Sequence, residues 1–363
     1  MTWRQRAMDS IRVREDSPMK AIFRFAPLAA MVVLLFGAGC APLAPPPTPV
    51  ATGKVYVVNE DDDTVSIIDV ATQRVMATVA VGGWPHCVVL PADGRLAYVT
   101  NGEAGNISVI DTQSNAVVST IPAGKDPQGM AIAPDGREAF VANYDSNDVS
   151  VIDLAQGRVS ATIPIATEKV PMPNPQGVAV SPDGKQVYVV SIHSGQVSVI
   201  DRSQRRVTHS FYIVEGLAGI AALPDGKHLY LGGHGAMMKG MEGMTKGKMN
   251  QDVRVVEVGT GQVVATISTG IMPIDIALSP DGSRAYVVCH GSHEVWVLDT
   301  ARRQAIATIK VGGNPQGVVP TRDGKLLYVS NRNDNTVSAI DAATGQVMAT
   351  IPVGKGPRGV AAQ

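Results

Sequence analysis

Seven histidines and fourteen methionines are the side chains here with the chemistry to hold a metal, and their placement is uneven. His193, His234 and His290 each fall four or five residues after an aromatic (Tyr188, Tyr230, Tyr286) that recurs along the chain, and His293 follows shortly after. Imidazole ligates metals when neutral and titrates near neutral pH, so these residues, with His86, are candidate ligands. From Gly233 to Gln251 the chain reads GHGAMMKGMEGMTKGKMNQ, setting Met237, Met238, Met241, Met244 and Met249 beside His234. Thioethers at Met-x-x-Met spacing next to imidazole are soft ligands suited to Cu(I). The alternative is an adaptable apolar contact for a protein partner, because unbranched methionine repacks against many shapes. A second candidate metal cluster joins His290 and His293 to the carboxylate of Asp275; its alternative is a set of surface histidines on loops.

The elements that must position these residues are written as a repeat. The aromatic recurs as Tyr56, Tyr98, Phe140, Tyr188, Tyr230, Tyr286 and Tyr328, at intervals of 42, 42, 48, 42, 56 and 42 residues. One unit holds four short runs of alternating apolar and polar residues, Met130–Ala133, Glu138–Asn143, Asp148–Asp153 and Arg158–Ile163, bounded by Pro, Asn, Gly and Asp-Gly. Runs of that kind make a four-stranded antiparallel sheet. Forty-odd residues per four strands is the period of a propeller blade, so the sequence predicts an all-β, seven-bladed β-propeller.

The two long intervals locate insertions. Tyr230 to Glu257 spans 27 residues where other copies need 13, which puts 14 extra residues between the second and third strands of blade five. Six more, around Glu168 to Pro173, lie between blades. These two loop classes share one face of a propeller, and the Asp-Gly turns that suit tight hairpins occupy the other. All five candidate histidines fall on the first face, whereas His209 and His228 fall elsewhere. His86 opens the first strand of blade two and is expected at the channel mouth, at the position of Gln128, Gln176, Gln316 and Arg358 in other copies; it and His193 are the candidates for holding a cofactor. Asp275 stands where Gly129, Gly177, Gly219, Gly317 and Gly359 stand, a place where glycine permits close backbone approach.

The first copy begins at its second strand, Val55–Asn59, and the chain ends on a lone first strand, Pro357–Ala361. The two fragments make one blade, whose pairing closes the ring and removes its edges. The propeller therefore occupies residues 54–363 as one domain. Residues 1–39 read as a signal peptide, with Met19 a second candidate start before a basic and then apolar run. Leu35–Cys40 resembles a bacterial lipobox, which implies a lipidated Cys40, and residues 40–53 form a Pro-rich tether. The expected location is the periplasm, on an outer-membrane or other periplasmic membrane surface through the lipid. Cys87 and Cys289 fall far apart in the ring and read as small buried apolar residues rather than a disulfide. The net charge is −1, without a broad basic run, so nucleic acid is not an expected partner. No P-loop, Gly-x-Gly-x-x-Gly after a strand, Cys-x-x-Cys, HExxH or Gly-x-Ser-x-Gly occurs, so no familiar catalytic motif is present.

The strings YVTN at Tyr98–Asn101, FVAN at Phe140–Asn143 and YVSN at Tyr328–Asn331, with TVSIID, NISVID, DVSVID and TVSAID after them, resemble the YVTN-repeat β-propeller family, which includes YncE-like periplasmic proteins. The resemblance runs from Lys54 to Gln363. It implies the propeller fold and leaves function open, because the family spans surface proteins, binding proteins and relatives of the haem-d domain of nitrite reductases. The first expectation is a non-catalytic lipoprotein that binds copper, or a partner on its His- and Met-bearing face. The alternative is an enzyme or cofactor-assembly protein similar to haem-d-binding propellers or propeller lactonases, with haem as cofactor.

Overall fold

A computed structural model describes residues 53–235 and 249–363; Cys40 and the methionines from Met237 to Met244 lie outside the described residues. Seven four-stranded antiparallel sheets make up the described chain. Blade one contains β1 (Lys54–Asn59), β2 (Thr64–Asp69) and β3 (Arg74–Ala80), and its innermost strand is the chain's last, β28 (Pro357–Ala362), paired antiparallel to β1. The ring thus closes by the expected pairing. The remaining innermost strands are β4 (Pro85–Val89), β8 (Pro127–Ile132), β12 (Pro175–Val180), β16 (Leu217–Ala222), β20 (Pro273–Leu278) and β24 (Pro315–Pro320). Most open on proline, which lacks a donor and is tolerated at a strand's first residue. Blade three begins at Pro127 rather than Met130, because a bulge between those residues carries the pairing three residues further.

The repeated aromatic is the centre of each blade's packing. Tyr56, Phe140, Tyr188, Tyr230 and Tyr328 are essentially inaccessible, and each core cluster joins neighbouring blades. One cluster packs Tyr56, Val58 and Ile67 of blade one on Val88, Ala97, Val99 and Ile110 of blade two. Another packs Tyr328, Val337 and Ala339 of blade seven on Val55, Val57 and Ile68. The asparagine of YVTN acts within a blade: the Nδ2 atoms of Asn59, Asn101, Asn143 and Asn331 each donate 2.9 Å to the hydroxyl of Ser66, Ser108, Ser150 or Ser338 on the third strand. Blades four, five and six carry Ser191, Gly233 and Cys289 instead, and these are the blades with histidine in the loop that follows.

The innermost strands crowd the axis. A Cβ on Gly129 would lie 2.3 Å from the Gln176 carbonyl oxygen, and one on Gly177 equally close to that of Ala218. Glycine is therefore required for strand-to-strand approach at these places, and the channel is narrow. The two described cysteines, Cys87 and Cys289, are free.

Candidate functional site at the channel mouth

Two rings of side chains define the mouth. The residue after the opening position of each innermost strand contributes Arg358, His86, Gln128, Gln176, Ala218, Ile274 and Gln316, all of which line a cavity of about 310 Å³ together with His234 and Asp275. The fourth residue after each repeat aromatic contributes Glu60, Gly102, Tyr144, Ile192, His234, His290 and Arg332. Side chains of the second ring reach toward the first ring of the next blade, and the pairs they form set the chemistry.

On the side of blades seven, one, two and three the pairs are ionic. Glu60, only 4% exposed, takes Arg358 at 2.7 Å and is in direct contact with the guanidinium of Arg332, which also reaches Asp61 at 3.0 Å. Burial pushes the Glu60 carboxyl up, but Arg358 and Arg332 outweigh it and hold it below the ordinary value. His86 lies between carboxylates, with Nδ1 3.3 Å from Glu60 and Nε2 3.4 Å from Asp126. Gln128 Nε2 is 3.0 Å from both Asp126 oxygens and 3.2 Å from His86 Nε2. Burial and Arg358 prevail over the two acids, so the His86 pKa is lowered and the ring is neutral at pH 7. Gly102 makes room for this arrangement, since a Cβ there would meet Asp126 at 2.6 Å and His86 Nε2 at 2.8 Å. His86 Nε2 is engaged by Gln128, whereas Nδ1 is buried with no hydrogen-bond partner among the described residues and faces Glu60.

The other histidines divide by what their rings touch. His193 is exposed, with Nδ1 2.8 Å from Asn174 Oδ1 and Nε2 3.4 Å from the Tyr144 hydroxyl. His293 has φ 59°, and its Nδ1 accepts the Asn314 N–H at 2.9 Å. Asp63, Asn147 and Asn335 accept the N–H of Trp84, Asn174 and Gly356 in the same way, so His293 performs the blade-to-blade bond of its repeat position. His290 Nδ1 is 3.0 Å from Gln316 Nε2, and its pKa is lowered, chiefly by burial. His234 differs: among the described residues its imidazole has no hydrogen-bond partner. Burial, followed by repulsion from His290 and Arg358, lowers its pKa to about 4, which leaves a neutral ring with open nitrogens at the cavity. The first-ring residue of the next blade is Ile274, which offers no partner.

Asp275 and Cys87 replace glycine on the channel wall. Asp275 is partly buried and lines the cavity; it accepts the Val318 N–H at 2.9 Å, and burial pushes its pKa up to about 6. Burial likewise raises the Cys87 thiol to about 11. The structure does not bring Asp275 together with His290 and His293: among the described residues no three His, Cys, Asp or Glu side chains form a metal-holding group. Met249, half-exposed, bridges Gly235 at the base of the insertion. Glu60, Asp126 and Arg332 are mouth residues that sequence reasoning did not single out; Glu60 and Arg332 share the fourth place after the repeat aromatic with His234 and His290, which was the available signal. Trp84 was missed as well.

A metal-centred ring needs an open neutral donor and a surface beside it. His234 supplies the first and the amide-lined mouth the second, so the donor set fits such a group; the arginines do not offer free positive charge, because Glu60 and Asp61 already compensate them. The family model of the cytochrome D1 haem domain matches residues 52–273. Hydrazine synthase of Kuenenia stuttgartiensis is similar, with 25% identity, a TM-score of 0.70, and coverage of 80% of this chain and 93% of that one. Dihydro-haem d1 dehydrogenase NirN, in complex with DHE, is similar at 17% identity and a TM-score of 0.60, covering 88% of this chain and 77% of that one. A candidate 6-phosphogluconolactonase of Bacteroides fragilis shares the fold at 18% identity and a TM-score of 0.67, with coverage of 88% and 100%. No curated protein matches the chain.

Proposed function

This chain belongs to the cytochrome D1 haem domain family, and on that premise we propose that it binds a flat, metal-centred tetrapyrrole at the channel mouth with His234 as the ligand to the metal. The observation that carries this reading is the neutral imidazole of His234 at the cavity, without a hydrogen-bond partner among the described residues. A neutral imidazole that lines the cavity presents a lone pair that a metal can take. His290, oriented by Gln316, is a second neutral imidazole on the same side. Held there by His234, such a group would supply a redox-active or ligand-binding metal centre. Glu60 and Asp61 together neutralise Arg358 and Arg332, so the mouth holds a ring by ligation and contact more than by excess charge. Within the fold, the YVTN strings align this chain in our reading with YncE-like periplasmic propellers.

Titration of haemin into the full chain, followed through the Soret band, tests the proposal. Wild type should shift the band and narrow it to a stoichiometric end point, and His234→Ala should weaken binding by about tenfold or more, the equivalent of 1.4 kcal/mol. A haemin spectrum unchanged by wild type overturns the reading. Copper retained by the purified protein without any Soret response would return attention to the methionines of the insertion.

A further inference from the structure

The residue just before each innermost strand is left-handed in every blade: Gly356, Trp84, Asp126, Asn174, Gly216, Met272 and Asn314 have φ between 51° and 82°. Gly, Asn and Asp adopt that conformation at little cost, whereas a bulky side chain is strained there. Trp84, at φ 59°, is the largest residue in the set. Its backbone is held from both sides, with its N–H donating to Asp63 Oδ1 at 2.9 Å and its carbonyl accepting from Gly102 at 2.8 Å. The indole is 41% exposed, so the strain is not the by-product of core packing. Its ring centroid lies 5.9 Å from that of His86, which lines the cavity.

Strain maintained to present an exposed aromatic has a direct use as a stacking surface, since a large planar side chain gives contact area at small conformational cost. We propose that Trp84 is the platform on which a planar conjugated ligand stacks at the mouth, acting independently of metal ligation by His234. This rests on the tetrapyrrole reading above and adds that flatness, as distinct from the metal, is recognised. Tyr144, on the neighbouring blade, extends the aromatic side; its hydroxyl lies against His193. The ligand class that follows is a ring with an extended π face, held by stacking more than by charge, because the nearby acids and arginines already neutralise one another.

The test uses two probes, haemin and metal-free protoporphyrin IX, with the full chain and its Trp84→Asn, Trp84→Phe and His234→Ala variants. Asparagine is the residue of blades four and seven at this position, so Trp84→Asn should fold and melt at a temperature equal to or above wild type. It should nevertheless weaken both probes tenfold or more, while Trp84→Phe retains most of the affinity. His234→Ala should weaken haemin and leave the metal-free ring nearly unaffected. If Trp84→Asn binds both probes as wild type does, the platform is overturned and the tetrapyrrole reading stands. A lower melting temperature together with lost binding would make Trp84 a packing residue and overturns the platform too. If wild type binds neither probe, both the reading and the platform fall.

Discussion

Asp275 shows how a single replacement in a repeat becomes measurable. Its carboxyl sits where most blades carry glycine, and burial raises its pKa from 3.8 to about 6 against the opposing hydrogen bonds from the Val318 and Ile276 N–H groups. A raised carboxyl binds its proton more tightly in the folded than in the unfolded chain. Its contribution is therefore intact below about pH 4 and is lost as pH climbs to 6, by on the order of 3 kcal/mol. Asp275→Asn should accordingly gain stability over wild type as pH rises from 4 to 6 and hold a constant advantage above, measured by urea unfolding. An advantage independent of pH would show that the carboxyl titrates normally. The substitution itself was legible in the sequence, but its energetic sign was not, because that depends on enclosure. His293 makes the same point: its type suggested a ligand, and its place in the turn shows a hydrogen-bond acceptor that in other blades is Asp or Asn.

At the scale of strands, periodicity carried nearly everything. Spacing of the aromatics, Asp-Gly turns and the split first blade together specified seven sheets and the pairing of β28 with β1. What periodicity could not carry were backbone φ values, hence Trp84, and pairings between residues 272 apart such as Glu60 with Arg332. β28 closes the ring twice over, by pairing with β1 and through Arg358 on Glu60. Truncation after Gly356 leaves β1 with an unpaired edge, and the product should aggregate or melt well below the full chain. Arg358→Gln keeps the strand and removes one charged hydrogen bond while Glu60 retains Arg332; that should cost only about 1 to 2 kcal/mol. Equal melting temperatures for the truncated and full chains would show that closure lies elsewhere.

The whole molecule is poised against acid because its mouth gathers neutral imidazoles on one face. His86, His234 and His290 are all held below the ordinary value of 6.5, chiefly by burial, with Arg358 contributing to each. In the unfolded chain each takes up a proton near pH 6.5 and in the folded chain it does not, so stability is present above that pH and lost as pH falls. For His234 the loss runs from 6.5 down to about 4. Glu60 and Asp126, both lowered, add to it as pH falls through 4.5 and 3.8. Asp275 works in the opposite sense between 6 and 4, but it is one group against three. Urea midpoints should therefore decline as pH is taken from 6.5 to 4. His234→Gln, which keeps a polar side chain without a titrating ring, should decline less, by on the order of 3 kcal/mol at the acid end. Parallel curves for wild type and His234→Gln would mean that the imidazole titrates in the fold as it does in the unfolded chain, and that burial at the mouth does not hold it neutral below pH 6.5.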